Sequence, residues 1–312
     1  MEAPMSPYSP LLLASAALLA CAGPGAKGGA LRCNGDEARC DRRLDQVTFA
    51  ATHNAMSSEE RGWLGPNQHV AVPAQLEAGV RGLNLDTHLG TEGEAAGVAQ
   101  LCHGYCSLGS QPLVEGLGEI RAFLDENPDE VLIITFEAYV DAATTEAAFA
   151  ESGLLDLVLH HEAGEPWPTL AEMIEGGERV AVWTSDGGGA EGWYLDQWTY
   201  WVDNPYSYKE GDPFTCGADR GEITNDLYNL NHFVTDPIAN AELAAVANAR
   251  SALEEHIRRC EAETGRLPNQ VLVDFFDEGD VLDVVEALEG PAGSGAAAGT
   301  TGRRSPHTVS PR

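Results

Sequence analysis

The chain has 312 residues, 43% hydrophobic and 21% charged, which describes a globular protein of one large domain or two ordinary ones and excludes a disordered chain. Its formal net charge is −31, from 18 Lys and Arg against 49 Asp and Glu. That balance excludes a nucleic-acid binder, which needs clustered cations to displace phosphate counterions, and it opposes loose adsorption to an anionic membrane.

At the N-terminus, SPLLLASAALLAC holds an apolar run from Leu11 to Cys21 that is too short to span a bilayer and reads as a signal peptide over residues 1–21. Leu18-Leu19-Ala20-Cys21 is similar to the cleavage box of bacterial lipoproteins, which would make Cys21 the lipidated first residue. Residues 1–10 contain no Lys or Arg, so ordinary signal cleavage nearby and a plain buried segment are the alternatives. Export would make the protein either secreted or a bacterial cell-envelope lipoprotein. With Cys21 set aside, six cysteines remain, an even number suited to disulfides in an oxidising compartment. Proximity suggests Cys33–Cys40 and Cys102–Cys106, leaving Cys216–Cys260, one of about 15 possible connectivities. No CxxC pair favours a structural zinc site.

Residues 22–31 (AGPGAKGGAL) have the composition of a flexible tether, and residues 290–312 that of a disordered tail. Residues 32–289 show neither a composition break nor an internal repeat, so a single domain is expected. The strands expected in chain order are Gln46–Ala51, Arg81–Asp86, Gly97–Cys102, Glu130–Glu137, Arg179–Thr184, Gln197–Val202, Leu227–Phe233 and Gln270–Phe275. Helical patterns lie between them. Leu113, Leu117, Ile120 and Leu124 fall on one face of a 3.6-residue period, the stretch from Ala241 is rich in helix formers, and a third helix from Asp280 stops at Gly290. VLIITF and QVLVDFF are continuous apolar runs, as in parallel strands covered by helices. About eight such strands in one α/β domain point to a distorted TIM-like (β/α)8 barrel, whose chemistry gathers at the C-terminal strand ends.

Polar residues collect at those ends. FAATHNAM ends its strand on His53 and Asn54. VRGLNLDTHLG carries Asn84 and Asp86, two apart and therefore on one strand face, then His88. LCHGYC places His103 between two cysteines, VLIITF ends on Glu137, and VLVDFF contains Asp274. Each has a plainer role: a strand-end His bonded for structure, Asn84 as a turn former, Glu137 or Asp274 as a solvated acid. Their convergence on one barrel mouth is what suggests chemistry. Two imidazoles titrate near neutrality and can serve as general base and general acid. Asn54, Asn84, Asp86 and Glu137 are oxygen donors of the kind calcium and magnesium prefer, and a bound cation would offset the protein's negative field for an anionic ligand.

In this order and spacing, THNAM, QLEAGVRGLNLDTHLG, LCHGYC, NPDEVLIITFEAYV and LPNQVLVDFFDEGDV resemble the phosphatidylinositol-specific phospholipase C X-domain family, within the PLC-like phosphodiesterases. WPTLAEMI (167–174) and NLNHFVTD (229–236) are similar to stretches of secreted members. The resemblance covers about residues 33–289 and implies a distorted TIM barrel with a two-histidine mechanism. It places the catalytic histidines at His53 and His103, and the calcium ligands at Asn54, Asn84, Asp86 and Glu137. Calcium-independent bacterial members carry an arginine at the position of Asp86. Calcium-dependent members often carry glutamate where this chain has Asn84, which leaves magnesium, or no metal, as alternatives to calcium.

The reaction expected from the resemblance is phosphodiester cleavage in a phospholipid, with His53 activating a substrate hydroxyl, His103 protonating the leaving oxygen and Asp274 orienting an imidazole. His88 and His232 are candidate substrate contacts, and aromatic residues between Trp193 and Tyr208 are either a groove lining or core. The membrane would be met through the lipid anchor or the substrate. Rival readings are a glycerophosphodiester or sphingolipid phosphodiesterase, and a catalytically silent head-group-binding module.

Overall fold

The computed structural model describes residues 30–91, 93–189 and 192–288. The expected signal segment 1–21 with Cys21, nearly all of the 22–31 tether and the 290–312 tail lie outside the described residues. The strands are β1 (Phe49–Thr52), β2 (Gly82–Leu89), β3 (Ala99–Leu101), β4 (Gln111–Pro112), β5 (Leu132–Ala138), β6 (Val180–Thr184), β7 (Tyr194–Asp196), β8 (Trp201–Asp203), β9 (Leu227–Asn231) and β10 (Gln270–Val273). The helices are α1 (Val72–Ala78), α2 (Leu113–Glu126), α3 (Ala142–Ser152), α4 (Leu170–Gly176), α5 (Gln197–Tyr200), α6 (Ala241–Ala247), α7 (Arg250–Thr264) and α8 (Val281–Leu288).

Eight strands pair in parallel in the order β7-β6-β5-β2-β1-β10-β9-β8. This is chain order around a barrel, and among the described residues no ladder joins β7 to β8. The result is a curled, TIM-like α/β domain open along one seam. The apolar runs explain the layering. Leu132, Ile134 and Phe136 of β5 cluster with Leu117 and Ile120 of α2, whereas Ile133 joins a second cluster with Trp167, Trp183 and Trp201. That second cluster includes Phe49, Trp201 and Leu227, which begin β1, β8 and β9, so it fills the N-terminal end of the barrel. Chemistry is left to the C-terminal end. Close pairing of β1 and β2 depends on Gly82, where a Cβ would lie 2.5 Å from that of Ala51.

Three element expectations are corrected. The stretch 97–102 is not a barrel strand. Only β3 forms there, and it pairs antiparallel with β2, because β2 runs on past the barrel to Leu89. The stretch 197–202 holds the short helix α5 and the start of β8, while β7 precedes it, so an aromatic run with strand-like composition crosses the seam. The single helix expected from Ala241 breaks between α6 and α7, where the buried Asn248 amide donates to the Asp274 and Phe275 carbonyls. The structure joins Cys33 to Cys40, Cys102 to Cys106 and Cys216 to Cys260.

Candidate active site

Four neighbouring strands, β10, β1, β2 and β5, deliver their C-terminal residues to one place. Asp274 follows β10 and His53 follows β1, with the His53 N–H donating to the Val273 carbonyl at 2.9 Å. Asn54 has φ 47°, a left-handed conformation that asparagine tolerates better than most residues and that ends the strand sharply. On β2, Asn84 and Asp86 alternate onto one face, and Asp86 lies in register with Glu137 of β5. His103 reaches the same place from the loop after β3, a loop closed by the Cys102–Cys106 bond.

Each imidazole is backed by a buried carboxylate. His53 Nδ1 lies 2.9 Å from Asp274 Oδ1, and His103 Nδ1 lies 2.7 Å from Asp86 Oδ2. Both acids are 2% exposed, whereas the His53 and His103 side chains are 20% and 52% exposed. Holding each ring by Nδ1 turns Nε2 away from the carboxylate, and His53 Nε2 lies 3.2 Å from the Asn54 amide. The bond to Asp86 raises the His103 pKa above its ordinary value, against the opposing effect of burial. Burial raises the Asp86 pKa, and the Glu137 charge adds to this, while His103 pulls it down.

Several residues at this centre carry no sequence signal of their own. Phe233 stacks on His53 with ring centres 3.9 Å apart and planes 13° apart. The Asn67 amide donates to Asp274 Oδ1 at 3.0 Å, which fixes the acid that faces His53. The Tyr139 hydroxyl donates to Glu137, and that bond pushes the phenol up to about 12. Arg220 lies between Trp198 and Tyr206, 4.6 and 4.2 Å from their ring centres, and its Nε donates to Asp203 at 3.0 Å. Only the stretch 229–236 and the aromatic cluster hinted at any of these. A cavity of about 680 Å³ is walled in part by His53, Asn84, Glu137, Tyr139, Arg220 and Phe233.

The expected substrate contacts separate. His88 stacks on Tyr139, 4.3 Å between ring centres, at the edge of the cleft. His232 is a correction: it is fully buried, with Nδ1 2.8 Å from His256 Nδ1 and Nε2 2.8 Å from the Ala247 carbonyl, so it has no face for substrate. Of the aromatic cluster, Trp193, Tyr194, Tyr200, Trp201 and Tyr208 are buried, while Trp198 and Tyr206 reach the cavity.

The oxygen donors suit a divalent cation. In one orientation the Asn54 amide nitrogen donates to Asp86 at 3.2 Å. In the other, the amide oxygen faces the two Asp86 oxygens at 3.2 and 3.3 Å, a spacing found within an oxygen shell at about 2.3–2.6 Å from calcium. Asn84 Oδ1 accepts the Asn54 N–H at 3.3 Å and keeps a second lone pair. Among the described residues, the one close group of three His, Cys or acid side chains is elsewhere, at Cys216, His256 and Cys260, and its two sulfurs are joined to each other.

The family model "PI-PLC X 1" matches residues 39–289. PI-PLC X domain-containing protein 1 of Arthroderma benhamiae is 30% identical over 285 residues, covering 83% of this chain and 90% of its own. A PI-PLC X domain-containing protein of Arabidopsis thaliana is 30% identical over 282 residues, covering 80% of this chain and 63% of its own. An uncharacterized secreted protein of Arthroderma benhamiae is 29% identical, covering 80% of this chain and 61% of its own. Among solved structures, a phosphatidylinositol-specific phospholipase C of Staphylococcus aureus superposes with TM-score 0.54 at 13% identity, over 78% of this chain and 93% of that one, a likeness of fold.

Proposed function

The chain belongs to the PI-PLC X family, and on that premise we propose that it is an exported phosphodiesterase that cleaves phosphatidylinositol-type phospholipid head groups. The observation that carries the proposal is the pair of imidazoles, each held at Nδ1 by a buried carboxylate, at the C-terminal mouth of the barrel. In this reading His53 Nε2 takes the proton of a head-group hydroxyl. The freed oxygen bonds to phosphorus as the bond to the glycerol oxygen breaks. His103 gives its proton to that departing oxygen, so the products are diacylglycerol and a cyclic phosphate. Asp274 offsets the positive charge that forms on His53, and Asp86 favours the protonated form of His103.

A calcium ion on Asn54, Asn84, Asp86 and Glu137, with magnesium as the alternative, would supply positive charge beside the phosphate oxygens. The oxygen-donor chemistry of these side chains and the register of Asp86 with Glu137 support this assignment. The proposal gives catalysis to residues 32–289, a leader to 1–21, a tether to 22–31 and a tail to 290–312. Three disulfides and a relative named as secreted support export. Lipidation at Cys21 is tested by whether Cys21→Ser releases the protein from the membrane fraction.

The test is phosphorus NMR of the purified protein with vesicles of phosphatidylinositol or sphingomyelin, and with a soluble glycerophosphodiester, each with calcium and with chelator. Release from phosphatidylinositol that stops with chelator is the expected result. Preferential turnover of sphingomyelin or of the soluble diester would replace the proposed substrate. No turnover of any of them would favour the silent binding module.

A further inference from the structure

His232, just after β9, and His256, on α7, are fully buried and take no part in the cleft. Phe214 stacks on both rings, 4.2 and 5.0 Å from their centres. Their nitrogens make three contacts: His232 Nε2 with the Ala247 carbonyl at 2.8 Å, His232 Nδ1 with His256 Nδ1 at 2.8 Å, and His256 Nε2 with the Thr215 carbonyl at 3.3 Å. Burial holds both rings neutral. Each contact needs one N–H, and two neutral imidazoles carry only two between them. The two short contacts take them: His232 donates from Nε2 to Ala247, and His256 donates from Nδ1 to His232. His256 Nε2 is then a buried lone pair that faces a carbonyl oxygen and has no donor.

A cysteine pair stands beside that nitrogen. Cys216 follows Thr215 in the loop between β8 and β9, and Cys260 lies one turn beyond His256 on the same face of α7. One ring nitrogen of His256 and the two sulfurs lie within 4.8 Å of one another, and all three residues are buried. With Nδ1 committed to His232, the nitrogen left is Nε2. While the sulfurs are joined to each other they offer no thiolate.

We propose that the dithiol form of Cys216 and Cys260, together with His256 Nε2, is a zinc site, and that metal and disulfide are alternative clamps between the β8–β9 loop and α7. Two thiols of a reductant give the disulfide two electrons and two protons and leave as a disulfide of their own. Zinc then displaces the two cysteine protons and accepts a lone pair from each sulfur and from Nε2, with water in the fourth position. Thiolate and imidazole favour zinc over calcium, so this site differs in chemistry from the oxygen donors of the cleft. Two sulfurs on one tetrahedral zinc stand about 3.8 Å apart. Breaking the S–S bond lets them part that far, since Cys216 sits on a loop. His232 supports the site from behind. An imidazole ligand is fixed in tautomer and direction by a bond at its far nitrogen, and the chain from His256 Nδ1 through His232 to the Ala247 carbonyl supplies that bond.

The test uses the purified full chain, reduced with a phosphine so that no foreign thiol competes for metal. Cobalt(II), the spectroscopic stand-in for zinc, is titrated into the oxidised and the reduced protein. Thiolate-to-cobalt charge transfer is expected only after reduction, and zinc should remove it. Reduction also frees Cys33, Cys40, Cys102 and Cys106, so peptide mapping after alkylation locates the site. Zinc should slow modification of Cys216 and Cys260 about tenfold or more and leave the other four as they were. His256→Phe should abolish this protection, and His232→Phe should weaken zinc binding about tenfold. If neither variant folds, wild type decides: a reduced chain in which zinc protects neither Cys216 nor Cys260, or protects only the other cysteines, overturns the site. Protection that persists in a folded His256→Phe overturns it as well, since the imidazole is then no ligand.

Discussion

At the scale of single residues, the proposed role of His53 turns on its contact with Asp274. Its Oδ1 accepts from Asn67 and lies against His53 Nδ1, so the histidine proton is held on Nδ1 and Nε2 is left basic. Asp274→Asn keeps the shape but can donate to Nδ1, which moves the imidazole proton to Nε2. Turnover should fall by about 10²-fold or more with little change in KM, measured on phosphatidylinositol. An unaltered kcat would remove Asp274 from the account. The strand-end positions His53, Asn54, Asn84, Asp86, Glu137 and Asp274 were legible in the sequence, because alternation along a strand fixes which residues share a face. Asn67, Phe233 and Arg220 were not. They belong to loops, and their roles exist only in contacts with residues 207, 180 and 17 positions away, to Asp274, His53 and Asp203.

At the scale of elements, local pattern was informative where a segment packs by its own periodicity and misleading where a tertiary bond intervenes. The α2 face of Leu113, Leu117, Ile120 and Leu124 is buried as the 3.6 period requires. The helix expected from Ala241 breaks because Asn248 bonds to the carbonyls after β10 rather than continuing the helix. Two consequences are measurable. Gly82→Val brings side-chain atoms into the β1–β2 contact, so stability should drop by about 1–3 kcal/mol in urea unfolding; a smaller change would mean that the strands separate freely. The second concerns pH. Burial pushes His232 down to about 4 and His256 to about 3. Unfolded imidazoles titrate near ~6.5, so below that pH the unfolded chain binds more protons than the folded one. Stability from this pair is therefore complete above ~6.5 and declines as pH falls toward 4. His256→Phe should make unfolding free energy less steeply dependent on pH between 7 and 5, and an unchanged slope would contradict the burial of neutral rings.

At the scale of the whole molecule, the barrel sends its apolar filling to one end and its ionisable side chains to the other, in a chain of net charge −31. Such a protein meets an anionic substrate best with local cations, and Arg220 is already paired with Asp203. A divalent ion on the Asp86–Glu137 side would meet that need. Calcium titrated by calorimetry should bind wild type, and Glu137→Gln should bind at least about tenfold more weakly. Equal heats in both proteins would remove Glu137 from the site. The apolar runs marked β1, β2, β5, β6, β9 and β10, but β7 and the open seam were not legible, since nothing in the aromatic stretch 197–202 marks where parallel pairing stops.

The central claim is that two carboxylate-backed histidines cleave a phosphodiester. It is tested most directly by the rate of soluble phosphate release from phosphatidylinositol vesicles by wild type, His53→Ala and His103→Ala. The account predicts release by wild type and a fall of about 10²-fold or more in each variant. Release at the wild-type rate from either variant would contradict it.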